Sequence, residues 1–187
     1  MKKIVIAGKE TEIPDDMTYG ELARQHQKDY PYPIVLAMEM ETHKMRELFR
    51  PVGKNCTVEF LTVGDKAGYE TYKRSAVLLM LKAVWDVAGQ EAVQGIRVHF
   101  TVSEGFYCTS RAARPDAAFL SAVKGRMQEL AEQALPIGKR SIPVEKAIRH
   151  FKRHGMEDKA RLFRFRRSSS VNVYCLDGFE DYYYGYM

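Results

Sequence analysis

The stretch from about Glu70 to Val87 is predicted to be a long helix whose middle is apolar on nearly every side. Its apolar residues are Ala76, Val77, Leu78, Leu79, Met80, Leu81, Ala83 and Val84. A helix that is apolar all round has to be covered by other elements, so we predict that it is the buried central helix of a domain. The run is interrupted by Lys82 and falls far short of the roughly 20 residues that a membrane span needs.

The residues before this helix show the pattern of a small separate domain. Two β-branched runs, Ile4–Ile6 and Thr11–Ile13, flank a turn that contains glycine, which predicts a hairpin. Thr18 can cap a helix that ends before Tyr30-Pro-Tyr-Pro. Strands are predicted at Ile34–Met38, near Leu48 and around Cys56–Phe60. One helix packed across a mixed sheet is an α+β fold, and we place this domain at residues 1–62.

The polar, glycine-bounded segment 63–68 is a predicted linker, and residues 69–187 form a second predicted α+β domain. Ile96, Val98 and Phe100 alternate with polar residues, which predicts a half-buried strand that turns at 103–105. The remaining predicted elements are a return strand at Phe106–Cys108, helices at Pro115–Leu135 and Val144–His154, and a strand at Ser168–Cys175.

Basic residues are concentrated near the C-terminal end. The chain has 29 basic and 24 acidic residues, but segment 139–167 alone holds eleven basic residues against three acidic ones. Guanidinium groups beside hydroxyls and backbone N–H groups suit phosphate. The predicted RNA- or phosphate-binding residues are Lys139, Arg140, Arg161, Arg164, Arg166, Arg167 and Ser168. The alternative is a solvated helix face, or a surface that pairs with acids of another domain.

Other chemistry has little support in the residues. His150 and His154 lie one helical turn apart and form a candidate metal pair, although a polar helix face explains them as well. The three cysteines are too scattered for a disulfide framework, which is typical of free thiols in the cytoplasm. No P-loop or dinucleotide-binding glycine motif occurs, so we predict no cofactor, no metal and no catalytic site within these residues.

The order of segments resembles the N-terminal region of threonyl-tRNA synthetases. The resemblance rests on Arg46–Val52, Thr57–Thr62, the helix after Gly68 and Gly105-Phe-Tyr. It implies a ubiquitin-like β-grasp (TGS) domain followed by an editing-like domain. In that family the editing site uses a His-x-x-x-His pair and a Cys-x-x-x-His pair. The matching positions here are Lys73, Val77, Tyr183 and Met187, which cannot supply that imidazole and thiol chemistry.

Three further stretches, Lys139–Pro143, Gly155–Tyr174 and Phe179–Met187, resemble bacterial uridine-kinase-like proteins. This resemblance implies a piece of a longer protein, cut near the end of its second domain, with a downstream P-loop nucleoside kinase domain that uses ATP and Mg²⁺. The leading hypothesis is therefore a non-catalytic accessory region that binds RNA, a nucleotide or the kinase domain. The alternatives are a stand-alone tRNA-binding module and a hydrolase with a rebuilt site using Lys73, Tyr183 or His99. We expect a cytoplasmic protein with no membrane partner.

Overall fold

The computed structural model of the protein describes residues 1–103, 105–111 and 115–187. It divides into two compact units: unit 1 comprises Met1–Ser75 with Gly185–Met187, and unit 2 comprises Ala76–Tyr184. Unit 1 carries 12 basic and 12 acidic residues, whereas unit 2 carries 17 and 12. The net charge of the chain therefore resides entirely on unit 2.

Unit 1 is a mixed sheet with a short helix. Its elements are β1 (Lys2–Ile6), β2 (Lys9–Ile13), α1 (Tyr19–His26), β3 (Ile34–Glu39), β4 (Lys44–Glu47) and β5 (Cys56–Thr62). The strand order is β2-β1-β5-β3-β4; β1 and β5 are parallel and the other neighbours are antiparallel. The hairpin turn uses Ala7 and Gly8, both with positive φ, as a tight two-residue turn requires. The predicted α+β class is confirmed for this unit.

Helix α1 begins where the sequence predicts because Thr18 forms a complete capping box. The Thr18 hydroxyl accepts from the Glu21 N–H at 3.2 Å, and the Glu21 carboxylate accepts from the Thr18 N–H at 2.8 Å. The helix buries Tyr19, Leu22 and Ala23 in the core of the unit.

A long helix, α2 (Lys66–Gly95), links the two units along the chain. It starts earlier than predicted because its first turn packs directly against the end of β5: a Cβ on Gly68 would lie only 1.9 Å from the Thr62 carbonyl oxygen. The helical path is broken at Gly89, whose φ of 79° is left-handed. The first part of α2, residues 66–75, belongs to unit 1, where Arg74 donates to the Tyr186 carbonyl at 2.8 Å.

Unit 2 continues from α2 with mixed elements. They are β6 (Ile96–Val102), β7 (Gly105–Ser110), α3 (Ala117–Glu132), β8 (Gly138–Pro143), α4 (Val144–Arg153), α5 (Glu157–Arg164), β9 (Ser170–Leu176) and β10 (Phe179–Tyr182). One antiparallel sheet has the order β10-β9-β8, and β6 pairs with β7 in a ribbon of its own. The core includes Leu78, Phe151, Phe163 and Tyr174, and the Phe151 and Phe163 rings join α4 to α5 at 5.5 Å.

Three predictions for unit 2 are wrong in detail. Phe100 was expected on a buried face but is 62% exposed, because among the described residues β6 has only β7 as a partner and their register shifts between Val98 and Thr101. Helix α3 begins after an Asp116 cap and not at Pro115. Leu120 lies outside the buried stripe and is 55% exposed. The predicted turn includes Glu104, which lies outside the described residues.

None of the helices in the described part of the chain combines the length and the apolar character that crossing a membrane requires.

Candidate functional site

A cavity of about 240 Å³ in unit 2 includes two of the four positions that match the editing motif, Val77 and Tyr183. Its apolar wall comes from Val77 and Leu81 of α2 and from Ile96 and Val98 of β6. Its polar wall comes from Arg97, Asp158, Lys159, Asp181 and the two tyrosines 182 and 183. No imidazole or thiol is present in this lining, which consists of described residues.

The carboxylate of this cavity is already occupied by the protein. Asp181 is 1% exposed and accepts hydrogen bonds from the Lys159 ammonium and from the Tyr182 N–H. Burial raises the pKa of Asp181 above its ordinary value, and the neighbouring Lys159 opposes that rise. An aspartate held in this pair is a structural group rather than a free general base.

The Tyr183 hydroxyl is buried and has no hydrogen-bond partner among the described residues. Burial raises the pKa of Tyr183 well above 10.0, so the phenol keeps its proton at neutral pH. It cannot serve as the nucleophile or base that a hydrolase would need here.

The structure does not bring the three residues of the hydrolase hypothesis together in this cavity. Lys73 belongs to unit 1, where it pairs with Glu70 at 2.6 Å and lies 4.9 Å from the Tyr69 ring centroid. His99 lies on β6 with its Nε2 atom 2.8 Å from the Thr109 hydroxyl. Neither residue is in the described lining, and Met187 also belongs to unit 1.

The candidate metal pair lies beside a smaller cavity of about 110 Å³ in unit 2. The His150 and His154 ring centroids are 4.5 Å apart, and His150 Nε2 is 3.1 Å from a Glu180 carboxylate oxygen. Arg140 also holds that carboxylate, at 2.6 Å. Within the described residues, no group of three or more histidine, cysteine or acidic side chains has the arrangement of a metal site.

The predicted phosphate-binding residues divide into two classes in the structure. Four have polar or aromatic partners inside unit 2. Arg140 pairs with Glu180, and Lys139 lies 5.4 Å from the Tyr174 ring centroid. Arg166 lies 5.0 Å from the Tyr182 ring centroid, and the Ser168 hydroxyl donates to the Ser170 carbonyl at 3.0 Å. Lys139 and Arg140 therefore already have partners within the fold.

The other three, Arg161, Arg164 and Arg167, are exposed and form no ion pair with any described residue. We call them the arginine face. Helix α5 produces this face because it buries Ala160 and Phe163, three residues apart, and so turns Arg161 and Arg164 outward. Exposed cations of α4 add to the positive charge: Lys146, Arg149, Lys152 and Arg153.

The exposure of three apolar side chains near the C-terminal end of unit 2 was not predicted from the sequence. Phe165 is 86% exposed, Tyr184 is 82% exposed and Leu162 is 52% exposed. The available signal was the position of Phe165 between Arg164 and Arg166, since a ring flanked by arginines fits poorly in an apolar core.

No protein-family model matches the chain. A threonine–tRNA ligase of Syntrophotalea carbinolica is 29% identical over 140 residues, which cover 74% of this chain and 22% of that ligase. The ligase of Methylococcus capsulatus is 28% identical over 140 residues, with coverage of 74% and 22%. The ligase of Francisella tularensis subsp. novicida is 28% identical over 131 residues, with coverage of 70% and 20%.

These matches support the predicted resemblance to the N-terminal region of threonyl-tRNA synthetases. The chain spans about a fifth of the length of the curated relatives it matches. The relatives named here do not support the predicted link to a uridine-kinase-like protein, so that link stays a prediction.

Proposed function

We propose that this chain is a tRNA-related module that binds RNA through unit 2 and does not hydrolyse mischarged tRNA. The observation that carries the proposal is the arginine face, whose three guanidinium groups are exposed and unpaired among the described residues. The similarity to threonine–tRNA ligases supports RNA as the anionic partner.

Residues 77, 181 and 183 of the cavity do not supply editing chemistry. Hydrolysis of an ester needs a base or a metal-bound water close to the substrate. Val77 offers neither, the Tyr183 phenol stays protonated, and Asp181 is held by Lys159. Val77, Tyr183 and the buried Asp181 therefore offer no group that is free for proton transfer near neutral pH.

The charge distribution supports binding of unit 2 to the phosphate backbone of RNA. Unit 2 holds five more basic than acidic residues, whereas unit 1 is balanced. Phosphate contacts by lysine and arginine release counterions, and each contact contributes about 0.7 to the salt slope for single strands and about 0.9 for a duplex. Three arginines that all contact phosphate would therefore contribute roughly 2 to 3 to that slope.

The test is an electrophoretic mobility shift with unmodified tRNA between about 50 and 300 mM salt, a range in which counterion release dominates. We expect the Arg161→Ala, Arg164→Ala and Arg167→Ala triple variant to bind more weakly and with a flatter salt slope. The control replaces Lys9, Lys28 and Lys44, exposed cations of unit 1 without described ion pairs, by alanine. This control variant has the same net charge as the triple arginine variant, and it should bind tRNA like the unmodified protein.

Absence of tRNA binding at the lowest salt, or equal losses in the two triple variants, would overturn the proposal. A hydrolysis assay with a threonine tRNA that carries a wrong amino acid tests its second half. We expect no rate above the uncatalysed one, and a rate abolished by Tyr183→Phe would contradict the assignment of a non-hydrolytic cavity.

A further inference from the structure

An aromatic and guanidinium stack leads from the core of unit 2 to its surface beside the arginine face. The Phe163 ring, which is fully buried, meets the Tyr182 ring edge-on at 4.8 Å. The Arg166 guanidinium lies over Tyr182 at 5.0 Å and over Tyr184 at 5.8 Å. The stack therefore ends in Tyr184, a ring that is 82% exposed.

Strand pairing and the end of α5 fix the position of this stack. Tyr182 is the last residue of β10, where it pairs in register with Val173 of β9. Arg166 lies two residues after the end of α5, where its backbone N–H donates to the Phe163 carbonyl at 3.2 Å, and its guanidinium lies over the two rings. A cation over an aromatic face is attracted to it electrostatically.

A second exposed ring lies next to the same arginines. Phe165 is 86% exposed and stands between Arg164 and Arg166 in the chain. Burying this ring or that of Tyr184 against a partner is favourable, and the surrounding guanidinium groups select an anionic partner. A partner that offers both flat apolar surfaces and regularly spaced phosphates is a single-stranded nucleic acid.

We propose that Tyr184 and Phe165 stack unpaired bases of a single-stranded RNA segment while the arginine face holds its phosphates. This inference rests on the proposed RNA-binding function and specifies the form of the RNA. A duplex keeps its bases stacked internally and cannot offer their faces to protein rings. Single-stranded RNA is therefore the preferred ligand over duplex RNA.

The experiment uses the full chain and fluorescence anisotropy with three labelled probes: an oligouridine 12-mer, an abasic 12-mer with the same phosphates, and a 12-base-pair RNA duplex. The variants are Tyr184→Ala, Phe165→Ala, and Tyr184→Phe, which keeps the ring. Phe100→Ala is the matched control, since this ring is 62% exposed on the β6–β7 ribbon. Fluorescence of Trp85, the chain's single tryptophan, verifies that unit 2 remains folded.

We expect Tyr184→Ala and Phe165→Ala each to weaken oligouridine binding by about 5- to 150-fold, the range of one lost base–aromatic stack. Binding of the abasic probe should change much less. Tyr184→Phe and Phe100→Ala should bind oligouridine like the unmodified protein.

The possible failures are distinguishable. If none of the probes binds at low salt, the proposed function fails and this inference fails with it. If oligouridine binds, and the arginine variants weaken this binding but the two ring variants do not, the base-stacking inference is refuted and the proposed RNA binding stands. Equal affinity for oligouridine and the abasic probe, or tighter binding of the duplex, also refutes it.

Discussion

The buried Lys82 provides the sharpest test of how unit 2 is held together. Its side chain is 2% exposed and its ammonium lies 2.8 Å from Asp86 and 3.1 Å from Asp177. Asp86 is 16% exposed and also accepts from Arg126 at 2.8 Å, whereas Asp177 is 54% exposed. Burial acts to raise the pKa of Asp86, but the hydrogen bonds from Lys82 and Arg126 outweigh it and hold that pKa below 3.8.

The three partners should therefore differ when each is replaced. Asp86→Asn leaves a buried ammonium with only the exposed Asp177 as a counter-charge, and breaking a buried pair costs about 3–5 kcal/mol. We expect Asp86→Asn to lower the free energy of unfolding by about 3 kcal/mol, since Asp177 still pairs with the ammonium. Lys82→Met removes the buried charge, leaves Asp86 paired with Arg126, and should cost about 1 kcal/mol or less. Asp177→Asn breaks a solvent-screened contact, which is worth at most about 0.5 kcal/mol.

Urea unfolding followed by Trp85 fluorescence measures these differences, because the only tryptophan lies in unit 2 and its ring is 4.5 Å from the Lys82 ammonium. With an m value of about 1.5 kcal/mol per molar urea, Asp86→Asn should lower the midpoint by about 2 M. Midpoints and not amplitudes are compared, since Lys82→Met alters the surroundings of the indole. The reasoning is refuted if Asp86→Asn shifts the midpoint no more than Asp177→Asn, or if Lys82→Met costs as much as Asp86→Asn.

Four further predictions concern single positions. Gly68→Ala should destabilise unit 1 by about 1–3 kcal/mol, and so lower the thermal midpoint measured by circular dichroism, because its Cβ would meet the Thr62 carbonyl oxygen. Gly125→Ala, whose Cβ has open space in α3, should instead stabilise unit 2 by about 0.5–1 kcal/mol. Tyr183→Phe removes a buried hydroxyl that lacks a described partner, so urea unfolding should show stability unchanged or increased, and a loss above about 1 kcal/mol would reveal a hidden hydrogen bond. Burial lowers the pKa of His150 below 6.5, although the charge of Glu180 opposes this shift. The unfolded chain therefore binds a proton more readily at this residue, and the urea midpoint should fall as the pH drops below about 6.5. An identical fall in the His150→Gln variant would contradict this prediction.

Local signals predicted much of unit 1. The capping box at Thr18, the glycine turn at residue 8 and the alternation around Val58 depend on neighbours in the chain, and the structure contains the helix, hairpin and strand that they predict. The same holds for α4, which was predicted to end at His154: the next residue, Gly155, has the left-handed φ of 66° that favours glycine after a helix end.

Strands β8 and β10 and helix α5 were not predicted, because their residues have mixed polarity; β8 in addition gains its partner from a distant part of the chain. Strand β8 pairs with β9 some thirty residues later, from Gly138 opposite Cys175 to Pro143 opposite Ser170. The high charge of α5 hid its buried pair Ala160 and Phe163, and so led to the interpretation of the segment as one basic patch.

The candidate site shows the same division between local and distant determinants. The residue types can be read from the sequence: an arginine-rich segment, and no imidazole or thiol at positions 77 and 183. Which charges are free depends on the folded structure. It paired Arg140 with Glu180 and Lys159 with Asp181, and left Arg161, Arg164 and Arg167 exposed. The physical reason is that exposure and ion pairing depend on which side chains packing brings within a few ångströms, and those partners are distant in sequence.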